Sequence, residues 1–164
     1  MTTPMKVAVV GAGAWGKQHA RVWAGREDTE LVGIVGRTLE KTQARADRYR
    51  TTAYTDIARM LDEAQPDLVS VSLPNEGHFD ATLELIRAGV PLLVEKPLVF
   101  HLDEADQLIA EAAERDLFFA INFNHRYAEP VKRAKALIDA GEIGETVFGR
   151  SEEHTSELQS RGLI

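Results

Sequence analysis

Val7-Ala8-Val9-Val10-Gly11-Ala12-Gly13-Ala14-Trp15-Gly16-Lys17-Gln18-His19 is the stretch whose reading decides the fold. Its first four residues are small or β-branched, as in a strand buried on both faces, and the run ends in Gly-x-Gly-x-x-Gly where a helical pattern begins. In that context Gly11 permits a tight turn, Gly13 lets the backbone approach a pyrophosphate, and Gly16 lets helix and strand pack closely. The amides and positive dipole end of the helix then face the phosphates. Gly11, Gly13, Ala14, Trp15 and Gly16 are therefore candidate cofactor contacts. The alternative is a plain glycine-rich turn, and the flanking strand and helix argue against it.

Composition narrows the classes around this motif. A chain of 164 residues, 44% of them hydrophobic, can bury one core and part of a second. It has no cysteine, which excludes disulfides, zinc–thiolate sites and a cysteine nucleophile, and no metal site is assigned. The formal charge of −7 argues against nucleic acid or an anionic membrane as partner and leaves a small-molecule substrate. A buried-type strand follows the N-terminus within a few residues, and no apolar run is long enough to span a bilayer. A soluble cytoplasmic protein is expected.

The final segment stands apart. Arg150 to Ser160 resembles the translation of a common sequencing-adapter oligonucleotide over eleven residues. The natural sequence is expected to stop near Gly149, with residues 150–164 a read-through artefact; a polar disordered tail is the alternative.

Within the body, strand and helix alternate. Trp15 to Ala24 reads as a helix and Glu30 to Val35 as a strand. Thr38 sits at a helix N-cap ahead of Leu39 to Arg48. Tyr54-Thr55-Asp56 leads through a short helix to Ala64, and Pro66 marks its stop. The strand from Asp67 to Leu73 closes on Pro74-Asn75. Phe79, Leu83, Ile86 and Val90 fall on one helix face, ended by Gly89. Leu92 to Glu95 is a strand, Asp103 to Arg115 a helix, and Leu117 to Phe123 a strand. One more amphipathic helix carries Val131, Ala134, Leu137 and Ile138 before Gly141, with a strand expected from near Glu145. The pattern predicts an α/β fold, a doubly wound parallel sheet of the dinucleotide-binding Rossmann type, with cofactor at the carboxyl ends of the strands.

Two further places carry chemistry. At the end of the second strand, where an acid on the ribose hydroxyls favours NAD, the chain has Gly36, followed by Arg37 and Thr38. Glycine removes the repulsion of a 2′-phosphate, Arg37 can pair with that phosphate or stack on adenine, and Thr38 offers a hydroxyl. NADP is thus the expected cofactor, with NAD the other option. Arg37, Lys41 and Arg45 are spaced four apart, so a solvated basic helix face is the competing reading for Lys41. The second place is Glu95-Lys96-Pro97, directly after a buried strand. An ammonium there can polarise or protonate a substrate oxygen, and the alternative is a surface lysine beside a turn.

Taken together, Val9 to Gly16, Pro74-Asn75-Glu76-Gly77-His78, Glu95-Lys96-Pro97-Leu98 and Asn122-Phe123-Asn124-His125-Arg126-Tyr127 resemble the successive motifs of the glucose-fructose oxidoreductase, inositol 2-dehydrogenase and MocA family. The resemblance covers Met5 to Gly149. It implies an NAD(P)-dependent oxidoreductase acting on a sugar, cyclitol or related polyol or carbonyl compound, with a homo-oligomeric full-length parent. It implies that Lys96 is the catalytic lysine beside the nicotinamide, often before a cis proline. Leu73, Pro74, Asn75, His78 and Glu95 would line the cofactor, and Arg126 would sit near its nicotinamide end. His78 as a simple helix-start residue is the alternative, and His19 reads as structural.

Residues 1–123 are then expected to form the cofactor domain and 124–149 the start of a substrate domain. The family's second domain supplies an acid and histidine pair that this sequence lacks, so the chain by itself is expected to bind dinucleotide with little turnover. A dinucleotide-binding regulatory protein without chemistry, or a truncated sequencing product without function, are the other classes left open.

Overall fold

The computed structural model describes residues 3–148, which fall into two compact units divided between Phe123 and Asn124. The larger unit holds one parallel sheet. In chain order its elements are β1 (Met5–Val10), α1 (Ala14–Ala24), β2 (Thr29–Val35), α2 (Leu39–Tyr49), β3 (Thr52–Tyr54) and α3 (Ile57–Ala64). They continue with β4 (Leu68–Val71), α4 (His78–Arg87), β5 (Leu92–Val94), α5 (Leu102–Glu114) and β6 (Phe119–Ile121). The six strands lie in the order β3-β2-β1-β4-β5-β6, all parallel, so the strand order reverses between β1 and β4. A crevice opens at that switch point, outside the carboxyl ends of the strands, because successive crossovers leave in opposite directions there.

The sheet is covered on both faces, as the unbroken apolar run of β1 requires. On one face Val9 packs with Ala20, Leu31 and Ile34 beneath Trp23 and Tyr49. On the other, Ala8 and Val10 join Val69, Val71, Met60, Leu85 and Leu108 in the larger cluster. Val7 to Val10 are at most 1% exposed, so the period-two alternation of a strand feeds two cores rather than one core and solvent.

The elements depart from expectation in three places. β3 is a strand that sequence patterning left unassigned, since it has three residues and only Tyr54 is buried. β4 ends at Val71 rather than Leu73; the Ser72 amide still donates to the Val10 carbonyl at 2.8 Å, and Ser72 and Leu73 line the crevice. In the smaller unit, a turn of 3-10 helix over Asn124–Tyr127 precedes α6 (Glu129–Asp139). The strand expected near Glu145 does not form through Phe148, because no neighbouring strand among the described residues offers it a ladder. Residues 150–164, expected to be read-through, lie outside the described residues.

Candidate functional site

Two adjoining grooves occupy the carboxyl edge of the sheet and share Gly13, Ser72, Leu73 and Pro74. The larger, about 480 Å³, runs from the glycine loop past Gly36, Arg37, Thr38, Lys41 and Thr42 to Glu76 and Gly77. The smaller, about 390 Å³, is closed by Ala14 and Trp15 on one side and by Glu95, Lys96 and Pro97 on the other. Most of the residues singled out in the sequence thus line one continuous surface.

The glycine loop has the geometry of a phosphate cradle. Gly11 holds φ at +123°, and a Cβ on Gly16 would fall 1.7 Å from the Gly11 carbonyl oxygen, so both positions exclude a side chain. A Cβ on Gly13 would meet nothing within 4 Å, so backbone is bare at the mouth of the groove. Gly13 is also the N-cap of α1, with no side chain bonded to the cap and no acid in the first turn. The opening amides of α1 therefore keep their positive end free for an anion. This chemistry fits a dinucleotide pyrophosphate.

At the Arg37 end of the larger groove, Thr38 is the N-cap of α2 but makes no side-chain cap bond. Its carbonyl oxygen accepts from the Thr42 amide at 3.0 Å and the Thr42 hydroxyl at 2.8 Å. Arg37 and Lys41 are exposed cations on the groove, with Glu76 the acid on its far wall.

At the other end, Glu95 is 5% exposed and gathers three donors. Its Oε1 accepts from Asn122 Nδ2 at 2.6 Å and lies 3.0 Å from His19 Nε2, while Oε2 accepts from the Lys96 amide at 3.2 Å. With the carboxylate as acceptor, His19 carries a proton on Nε2, and its Nδ1 lies 2.6 Å from the Ser70 hydroxyl. The chain Ser70–His19–Glu95–Asn122 thus ties α1, β4, β5 and the end of β6 together beneath Lys96, whose side chain is exposed. The Lys96–Pro97 peptide is cis.

His78 corrects an expectation. It was expected to line the cofactor, but it lines neither groove and is 1% exposed. Its Nδ1 lies 2.9 Å from the Pro97 carbonyl and its Nε2 2.7 Å from the Leu73 carbonyl. Each nitrogen faces a main-chain carbonyl, and a neutral ring donates to one of them at a time, so the residue braces a wall from behind the site. Gly16 likewise serves packing rather than lining. Asn75 begins a short 3-10 turn after Pro74. Arg126 is exposed in the smaller unit. Thr42, Ser70 and Ser72 were not marked in the sequence, and Asn122 only as the first residue of a motif; Ser70, Ser72 and Asn122 each act through space on a residue distant in the chain, whereas Thr42 bonds Thr38 one turn back. Only the position of His19, one turn after Gly16 on the helix face turned to the sheet, gave a local signal.

Residues 5–123 match the family described as "Oxidoreductase family, NAD-binding Rossmann fold" (Gfo/Idh/MocA), and the chain belongs to that family. It is 32% identical over 146 residues to a D-glucoside 3-dehydrogenase of Escherichia coli, covering 88% of this chain and 42% of that protein. It is 28% identical over 148 residues to an inositol 2-dehydrogenase of Salmonella typhimurium, covering 88% of this chain and 44% of the relative. The crystal structure of GenD2 from gentamicin A biosynthesis, in complex with NAD, superposes with a TM-score of 0.82 at 33% identity, over 87% of this chain and 41% of that one. The chain therefore spans about two fifths of the length of the proteins it matches.

Proposed function

We propose that this chain is the cofactor-binding part of an NADP(H)-preferring dehydrogenase or reductase acting on a sugar, cyclitol or related polyol. On this reading residues 1–123 form the cofactor domain and 124–149 begin the substrate domain. The observation that carries the proposal is the continuity of the surface between Arg37 and Lys96 through the bare backbone at Gly13. Its ends offer different chemistry. Arg37, Lys41 and the uncapped Thr38 hydroxyl suit a 2′-phosphate, with no acid at position 36 to repel it. The opening amides of α1 hold the pyrophosphate, and Trp15, Pro74 and Lys96 border the redox end.

When bound, the nicotinamide supplies hydride chemistry. The protein's part is to bind, orient and move a proton. The Lys96 ammonium donates to the substrate oxygen during carbonyl reduction, or accepts its proton in the reverse direction once neutral; a well-placed group of this kind contributes roughly 10²–10⁴-fold in rate. The carboxylate of Glu95 fixes the Lys96 backbone amide and so the point from which that side chain starts. The sugar and polyol dehydrogenases among the relatives support the substrate class.

Titration of the chain with NADPH and NADH, followed by quenching of tryptophan fluorescence, tests the cofactor end. One charge-assisted contact to the 2′-phosphate, roughly 1.5–3 kcal/mol, predicts at least about tenfold tighter binding of NADPH. Equal affinity, or tighter NADH, removes the preference. Lys96→Met in a catalytically active full-length protein should lower kcat about a hundredfold or more with little change in cofactor Kd.

A further inference from the structure

Gly36 marks the place at the end of β2 where a carboxylate would hold the ribose hydroxyls, and the space for any side chain there is filled. A Cβ on Gly36 would lie 2.3 Å from Thr42 Oγ1 and 2.7 Å from Ala12 Cβ, well inside van der Waals contact. None of the three positions is loose. The Gly36 amide donates to the Tyr54 carbonyl at 2.9 Å, which extends the β2–β3 ladder by one bond. Thr42 is fully buried in the first turn of α2, and its hydroxyl is held by the Thr38 carbonyl. Ala12 follows Gly11, whose amide donates to the Val35 carbonyl at 2.8 Å, and the Ala12 carbonyl accepts from Arg45 at 3.4 Å.

We infer that Thr42, with Ala12, is a specificity-determining residue: it occupies the volume that an acid at position 36 would need and so holds the site in the form that takes a 2′-phosphorylated dinucleotide. The inference rests on the preference for NADP(H) proposed above and deepens it. Glycine at position 36 is then not merely the absence of an acid. It is imposed by the helix beside it, and Arg37 and Lys41 meet the ligand with no neighbouring carboxylate from β2. A single change to aspartate displaces α2 or the glycine loop before its carboxylate reaches a ribose.

Dissociation constants for NADPH and NADH are measured on the wild type, Gly36→Asp, Ala12→Gly/Thr42→Ala and the triple variant. Gly36→Asp should lose NADPH about tenfold or more and gain no NADH affinity, whereas the triple variant should bind NADH more tightly than NADPH. A wild type that prefers NADPH, together with a Gly36→Asp that gains NADH as far as the triple, overturns this inference alone. A wild type without preference overturns the cofactor reading and this one with it. Melting temperatures of Gly36→Ala, Ala12→Gly/Thr42→Ala and their combination supply a readout free of ligand. The combination should recover at least half of the Tm lost by Gly36→Ala alone; additive losses overturn the packing argument.

Discussion

Glu95 shows how one buried side chain organises the Lys96 end of the smaller groove. Three donors converge on it, and among the described residues two of them, His19 and Asn122, have no other side-chain partner for the bonded nitrogen. Glu95→Ala leaves those donors stranded in a buried pocket and should cost about 3 kcal/mol in urea denaturation. Wild-type stability in that variant would mean that the network contributes nothing. The motif around Glu95 and Lys96 was legible in the sequence because the buried strand and Pro97 mark its position. Its supports were not, since Ser70 and Glu95 lie 51 and 76 residues from His19 and meet it only in the folded sheet. His78 illustrates the converse. Its place in a motif suggested a ligand contact, yet nothing in a sequence reveals that both ring nitrogens face main-chain carbonyls.

Among the elements, β1 and α1 were readable because each carries a full hydrophobic period and the glycines fix the join between them. β3 was not, because an edge strand of three residues is held by pairing with β2 over Gly33 to Val35 rather than by its own pattern. The helices on the sheet show a different kind of dependence. α4 and α5 are joined by Arg87, whose guanidinium donates to Glu111 at 2.6 Å and 3.1 Å, with Arg115 on the other side of the same carboxylate. The Arg87 hydrogen bond, then the nearby positive charges, hold the Glu111 carboxyl below its ordinary value of 4.5. A carboxyl depressed on folding adds stability above its unfolded value and loses it as pH falls through the folded one. The stability gap between wild type and Arg87→Ala should therefore be present at neutral pH, shrink as the pH drops below 4.5, and narrow in high salt. Urea midpoints measured across that range check it; a gap independent of pH contradicts the pairing.

Over the whole molecule, a net charge of −7 opposes association while the free edge of the larger unit favours it. Among the described residues β6 pairs with β5 alone, so its other side presents unpaired backbone groups. Phe118 and Phe123, which flank that strand, are 60% and 53% exposed, whereas comparable residues inside the sheet are nearly inaccessible. Exposed aromatics beside an open strand edge make the contact that charge repulsion must hold apart. Raising the ionic strength shortens the Debye length from about 10 Å at 0.1 M to about 3 Å at 1 M and weakens that repulsion without weakening apolar contact. Self-association of the chain should accordingly increase with salt, the reverse of what an ion-paired interface would do. Phe118→Ser/Phe123→Ser should abolish the salt-driven rise in mass seen by light scattering, while leaving NADPH affinity intact because neither residue lines the groove. A double variant that still associates with increasing salt would locate the contact elsewhere on the surface.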